Sequence, residues 1–274
     1  MFKGFNIQVG NDGFDEFVKK LYGIDYIYKD EAVGKYNAMI ASYQTEIETS
    51  LEKYILKDYV EDGVLDTSKV EDDWFPNIKA DIFLSHSHQD EKFIVDFAAW
   101  LYSSFELLAF IDSRVWGYCG KLLKVIDNEY CTKDTQRHNL FDYDKRNQST
   151  AHVYMLLNGA LVKMIDSTEC FIFVGTHNSL DLDPSKIKDN EYSTYSPWLY
   201  SELLTSSLIK PNIPDRFYTE TTILAEARLP KFKYSANLNH LHRLDITILQ
   251  NLKRMHLSKQ YALDELYKKF PEAR

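Results

Sequence analysis

The sequence ECFIFVGT, residues 169–176, reads as a strand, and the predicted fold is built outward from it. Its aromatic and β-branched side chains follow one another without a polar gap, and Gly175 bounds the run. Two other runs share this character, ADIFLSHSH at 80–88 and LLAFID at 107–112. Strands that are almost continuously apolar are typical of a parallel sheet covered on both faces.

Helical patterns alternate with these strands. They span 90–105, with Asp90 placed as an N-cap, then 149–167 and 198–209. This alternation predicts an α/β domain with a mostly parallel sheet. The tail after residue 230 is expected to close the sheet with a short segment and to end in an amphipathic helix.

The first 78 residues look different. Residues 30–58 have apolar side chains at helical spacing, and 60–77 lose this periodicity and become acidic. We therefore expect an N-terminal helical extension and linker at 1–78, followed by the main domain with its C-terminal helix at 79–274.

Each predicted strand ends in polar residues, which are Ser85-His86, Asp112-Ser113 and Thr176-His177. In parallel sheets of this class ligands bind beyond the carboxyl ends of the strands. A binding site is therefore expected at these three tips.

The segment SPWLYSE at 196–202 indicates a class of substrate. Trp198 and Glu202 are four residues apart at the start of a predicted helix, so they share one face. An indole wall beside a carboxylate suits a substrate with a planar aromatic leaving group and a carbon that becomes cationic. A nicotinamide N-glycoside is such a substrate.

Composition narrows the class of protein. The net charge of −9 argues against a nucleic-acid-binding domain, which needs a basic stripe. No apolar run approaches the roughly 20 residues of a membrane span. The N-terminus is acidic where a signal peptide is basic and then apolar, and the three cysteines form no framework, so a cytoplasmic protein is expected.

Taken in order, the pieces DIFLSHSHQDE, a helix, AFID, S-x-x-CFIFVGT and S-x-W-x-x-x-E resemble a bacterial Toll/interleukin-1 receptor (TIR) domain over about 79–260. The resemblance implies a flavodoxin-like three-layer fold. Residues 113–148 are longer and more polar than the family pattern, and 1–78 have no counterpart in it.

Many bacterial TIR domains cleave NAD+ at the nicotinamide–ribose bond, and the resemblance implies this activity here, with NAD+ as substrate and no cofactor. It also implies a role in anti-phage defence, as in Thoeris systems, with a homo-oligomer whose nucleotide product activates an effector protein. The alternatives are a non-catalytic scaffold that associates with other TIR domains, and an enzyme acting on another nucleoside or nucleotide sugar.

Glu202 is the candidate catalytic carboxylate, and the alternative is an exposed carboxylate favoured by the helix dipole. The predicted substrate-binding residues and their alternatives are Trp198 (a core Trp), His86 and His88 (polar loop residues), Asp112 (a turn residue) and Trp116 (a packing Trp).

No metal site is predicted, because the His86/His88 and His240/His242 pairs have no third ligand at a telling spacing. The sequence also has neither a Gly-x-Gly-x-x-Gly nor a Gly-x-x-x-x-Gly-Lys-Ser/Thr pattern, which argues against a redox Rossmann domain and an ATPase.

Overall fold

Five parallel strands form the central sheet of the protein, and they are β1 (Lys3–Gln8), β4 (Ile82–Ser85), β5 (Ala109–Phe110), β6 (Cys170–Gly175) and β7 (His242–Arg243). Their order across the sheet is β5-β4-β6-β1-β7. A separate antiparallel hairpin joins β2 (Val60–Glu61) and β3 (Val64–Leu65). This computed structural model describes residues 1–10, 13–53, 59–61, 64–116, 119–132, 141–181, 192–217 and 240–270.

The parallel sheet and its helices form the predicted flavodoxin-like three-layer α/β fold. Their bounds are α1 (Phe14–Tyr22), α2 (Lys29–Lys53), α3 (Thr67–Trp74), α4 (Glu91–Phe105), α5 (Asp112–Val115), α6 (Cys119–Tyr130), α7 (Tyr143–Ser167), α8 (Pro197–Leu208), α9 (Ile246–Arg254) and α10 (Lys259–Lys268). Short 3-10 turns lie at Gly23–Tyr28, His88–Asp90 and Asp215–Phe217. Within the described ranges, no helix has both the length and the apolar character needed to cross a bilayer.

The three predicted strands form because their side chains are buried on both faces. All six residues of β6 are buried, as are all four of β4. Phe83 of β4 stacks on Phe171 of β6 with ring centroids 5.7 Å apart. Such a strand suits the middle of a covered parallel sheet, as its apolar run predicted.

The N-terminal prediction requires a correction, because residues 3–8 form a strand of the main sheet. β1 pairs with β6 on one side and with β7 on the other. Its Phe5 and Ile7 side chains are fully buried. The helical part of the prediction is confirmed by α2, although residues 54–58 of the predicted helix lie outside the described part of the chain.

The chain divides into two compact units. The first holds the five-stranded sheet and consists of Met1–Tyr36, Lys79–Ile111 and Ile165–Arg274. The second consists of Asn37–Ile78 and Asp112–Met164. The predicted boundary between 78 and 79 is therefore only one of several points at which the chain passes from one unit to the other.

The end of the chain follows the prediction for the tail. β7 pairs with β1 at the edge of the sheet, and α10 packs its buried residues, among them Leu263 and Tyr267, onto the sheet unit. Tyr267 stacks on Phe5 of β1 with the two rings 6.1 Å apart. The first strand and the last helix thus share one core.

Candidate functional site

The site lies at the carboxyl ends of β4 and β6, which are neighbours in the sheet. From β4 the chain passes to β5 on one side, and it then returns to β6 on the other side of β4. The strand order therefore reverses between β4 and β6. In open parallel sheets this reversal opens a crevice in which ligands bind.

Glu202 of α8 reaches the end of β4. The hydroxyl of Ser85 donates a hydrogen bond to Glu202 Oε2 over 2.6 Å, and the two side chains are 0% and 4% exposed, respectively. The alternative of an exposed carboxylate is therefore wrong. A distance of 2.6 Å is typical of a hydrogen bond from a hydroxyl to a carboxylate, and this contact fixes the position of the Glu202 side chain.

The start of α8 fixes where this carboxylate lies. Ser196 is the N-cap, and its hydroxyl accepts a hydrogen bond from the Leu199 backbone N–H at 3.3 Å. Pro197 occupies the first turn, where a missing N–H costs nothing. Trp198 follows, one turn before Glu202, and it is half-buried. The helix thus carries both residues of the predicted pair, and Trp198 is only partly buried.

His86 lies directly after Ser85 and is buried. Its Nδ1 is 2.9 Å from the carbonyl oxygen of Leu84. A carbonyl oxygen only accepts, so Nδ1 carries a proton, and in the neutral ring Nε2 is the acceptor nitrogen. This contact holds the imidazole beside the end of β4 in one tautomer.

His88 is exposed and begins a 3-10 turn, with its ring centroid 5.9 Å from that of His86. The two rings are neighbours, but only His86 is buried at the strand end. Of the two histidines, His88 is thus the one that fits the alternative of a polar loop residue.

Asp90 organises the crevice in a way that the sequence did not reveal. Its Oδ2 accepts a 2.6 Å hydrogen bond from the Thr176 hydroxyl, and its Oδ1 accepts one of 2.5 Å from the Asn178 amide. Asp90 occupies the N-cap position of α4, as predicted, but its side chain makes no capping hydrogen bond to that helix. Instead it ties the segment after β4 to the segment after β6.

The loop after β6 is also held from within. The Ser179 hydroxyl accepts a 2.7 Å hydrogen bond from the Thr176 N–H, and both residues are almost fully buried. Thr176 was identified in the sequence only as a polar strand end. A polar cluster of this kind has no local signature, since Asp90 is 86 residues away from Thr176.

Asp112 and Trp116 belong to the second unit. Asp112 is half-buried at the start of α5, and its carbonyl accepts the Trp116 N–H at 2.7 Å. Trp116 is 3% exposed, donates its indole N–H to the Pro76 carbonyl over 3.2 Å, and meets Phe75 edge-on. These contacts match the packing alternative for Trp116.

The described residues contain no group of three or more His, Cys, Asp or Glu side chains arranged to hold a metal ion. His240 instead contacts Ser206 of α8, with its Nε2 2.8 Å from the serine hydroxyl oxygen. Because that hydroxyl already donates to the Leu203 carbonyl, the imidazole is the donor. His242 packs against Phe5 and Phe270.

No protein-family model, curated protein or solved structure matches this chain significantly. The resemblance to TIR domains therefore depends only on the order of the motifs in the sequence.

Proposed function

We propose that the protein is a TIR-type NAD+ glycohydrolase or ADP-ribosyl cyclase that cleaves the nicotinamide–ribose bond. One observation supports this more than any other. A buried carboxylate, Glu202, is hydrogen-bonded to Ser85 at the point where the strand order of a parallel sheet reverses. The class of substrate, NAD+, is inferred from the order of the TIR-like motifs in the sequence.

The chemistry requires a fixed negative charge at this place. When the bond between the nicotinamide nitrogen and ribose C1′ breaks, its electron pair goes to the pyridinium nitrogen, and nicotinamide leaves as a neutral molecule. The ribosyl carbon becomes an oxocarbenium-like cation, which the Glu202 carboxylate would stabilise. Water then attacks C1′ and loses a proton to give ADP-ribose, or a nucleophile of the same molecule attacks to give a cyclic product.

Other side chains of the site have supporting roles in this proposal. Trp198 is half-buried one turn before Glu202, and its accessible indole would wall the nicotinamide ring. His86 lies beside the same strand end, where its Nε2, the acceptor nitrogen when the ring is neutral, would contact a hydroxyl group of the substrate. Asp112 and Trp116 remain proposed contacts for ribose or adenine, and His88 for the dinucleotide.

The biological role rests on the resemblance alone. We propose a cytoplasmic homo-oligomer in bacterial anti-phage defence, in which the nucleotide product activates a separate effector protein, with no nucleic acid or membrane as partner. The three cysteines, Cys119, Cys131 and Cys170, are free thiols, which is compatible with a reducing compartment.

The test follows free nicotinamide and the mass of the nucleotide product after incubation with NAD+. We expect the wild type to release nicotinamide. Glu202→Gln keeps the shape of the side chain and removes its charge, so the rate should fall about 100-fold or more, the range found when one charge-stabilising group is removed from a dry site.

Glu129→Gln is the matched control, because Glu129 is an exposed glutamate on α6 and should keep the wild-type rate. A Glu202→Gln protein that is as active as this control would contradict the proposal. A wild type that neither binds nor cleaves NAD+ over a wide range of protein concentrations would favour the scaffold alternative. Turnover of a different nucleoside would favour the third class of enzyme.

A further inference from the structure

One row of residues crosses the sheet next to the proposed site. In the strand register Ser85 of β4 is the partner of Phe173 of β6, Phe173 is the partner of Asn6 of β1, and Asn6 is the partner of Arg243 of β7. Partner residues in a parallel sheet point to the same face. Asn6 therefore lies on the face where Ser85 meets Glu202, two strands or about 10 Å away.

The side chain of Asn6 lacks a partner that its burial would require. The residue is 7% exposed, and within the described chain no group hydrogen-bonds its amide oxygen Oδ1, which is closed to solvent. A buried acceptor without a donor is destabilising, and such groups in folded proteins are uncommon enough to need an explanation. A strand position facing the core would be filled more favourably by Val or Leu.

One neighbour of this amide is a glycine. Gly175 lies beside it on β6, and a Cβ atom at that position would stand 3.6 Å from Asn6 Oδ1. The glycine thus keeps a methyl-sized space next to the oxygen. The terminal torsion of Asn is soft, and Oδ1 has no hydrogen bond among the described residues that a rotation would break.

We propose that Asn6 is a substrate-binding residue, whose amide oxygen accepts a hydrogen bond from an N–H or O–H group of the nicotinamide riboside part of NAD+ bound between Glu202 and β1. The inference rests on the proposed function. Its chemistry follows from the atom concerned, since an acceptor oxygen pairs with the carboxamide N–H or a ribose hydroxyl and not with a phosphate oxygen.

The experiment compares the wild type with Asn6→Leu, an apolar side chain of similar size. We expect the KM for NAD+ to rise about three- to tenfold, as the loss of one hydrogen bond between neutral groups predicts, with a smaller change in kcat. The melting temperature should be equal to or higher than that of the wild type, because the variant removes an unpaired buried polar atom. If Asn6 had only a structural role, its replacement would not raise the KM while leaving the melting temperature equal or higher.

A second substrate identifies the donor. Nicotinic acid adenine dinucleotide has a carboxylate in place of the carboxamide and therefore no N–H at that position. If Asn6 binds the carboxamide, Asn6→Leu changes the KM for NAD+ only. If it binds a ribose hydroxyl, the KM values for both dinucleotides rise.

Trp100→Phe is the control, because Trp100 of α4 is fully buried and its indole N–H has no hydrogen-bond partner among the described residues. It removes an unpaired polar atom from the core and should leave the KM unchanged.

Asn6→Val is a second variant in case Leu does not fit the strand. Unchanged KM values for both dinucleotides in a folded, active variant would overturn the inference alone, whereas a wild type that neither binds nor cleaves NAD+ would overturn the proposed function and the inference together.

Discussion

Ser85 is a hydrogen-bond donor to the buried carboxyl group of Glu202. Its hydroxyl donates to Oε2 over 2.6 Å, and both residues are almost fully buried. Without this donor the carboxylate loses a charge-assisted hydrogen bond. Ser85→Ala should therefore lower the free energy of unfolding by about 1–3 kcal/mol, measured by urea denaturation, and should slow nicotinamide release.

A double-mutant cycle separates this interaction from the loss of packing. Ser85→Ala combined with Glu202→Gln should cost less than the sum of the two single changes, because a neutral amide suffers less from a missing donor than a carboxylate does. Ser85→Thr keeps a hydroxyl and should retain most of the stability. Strict additivity of the two single changes would show that the hydrogen bond contributes nothing.

The sequence reveals individual candidate site residues only where a local pattern exists. Glu202 was identified from its spacing to Trp198, and His86 from its place at the end of an apolar run, and the structure places both beside β4. Asp90 and Asn6 had no such pattern. The partners of Asp90 are 86 and 88 positions away in the sequence. Asn6 became a candidate only because no described neighbour donates a hydrogen bond to its amide oxygen.

At the scale of elements, the start of β4 is held to both neighbouring strands by Asp81. Its Oδ2 accepts the Leu108 N–H at 2.8 Å, and its backbone carbonyl accepts the Cys170 N–H at 3.1 Å. Burial raises the pKa of the Asp81 carboxyl above its usual value, although the hydrogen bond from Leu108 opposes this change. The folded protein thus holds the proton more tightly than the unfolded chain.

The sign of the pH dependence follows from this raised pKa. The folded state is favoured while Asp81 is protonated, and this contribution is lost as the pH rises from the unfolded pKa through the folded one. Asp81→Asn keeps an acceptor oxygen and carries no charge, so its thermal midpoint should exceed that of the wild type at pH 7. The difference should shrink as the pH falls towards 4, and a constant difference across this range would contradict the assignment.

Some elements could be predicted and others could not, for reasons of length and pairing. β4 and β6 are apolar throughout and stood out, whereas β1 alternates Phe5 and Ile7 with Asn6 and Gln8 in a segment of six residues. Such a segment fits a strand or a loop equally well. Its pairing with β6, about 165 residues further on, is what makes it a strand.

At the scale of the whole molecule, the strand order could not be deduced from the order of motifs along the chain. The motifs after residue 79 supply β4, β5, β6 and β7, but the sheet places β1 between β6 and β7. β7 has no other partner strand among the described residues, so its attachment to the sheet depends on β1. The N-terminal segment is thus part of the core and not an addition to it.

Deletion of residues 1–8 tests this architecture. It removes the buried Phe5 and Ile7, the strand partner of β7, and Lys3, whose Nζ donates to the Phe270 carbonyl at 2.6 Å. We expect the truncated protein to lack a cooperative unfolding transition in urea. Single substitutions should destabilise the protein by smaller amounts. Phe5→Ala should lower the free energy of unfolding by about 3–5 kcal/mol and Ile7→Val by about 0.5–1.5 kcal/mol.

Complementation by a peptide tests the role of β1 in the sheet more directly. Because β1 contributes through backbone pairing and two buried side chains, a synthetic peptide of residues 1–10 should bind the truncated protein and restore part of its circular dichroism and cooperativity. A peptide with Phe5→Asp should not, since it would bury a charge at a fully enclosed position. A truncated protein that unfolds cooperatively at the wild-type urea midpoint would show instead that the segment is an appendage, as the sequence first indicated.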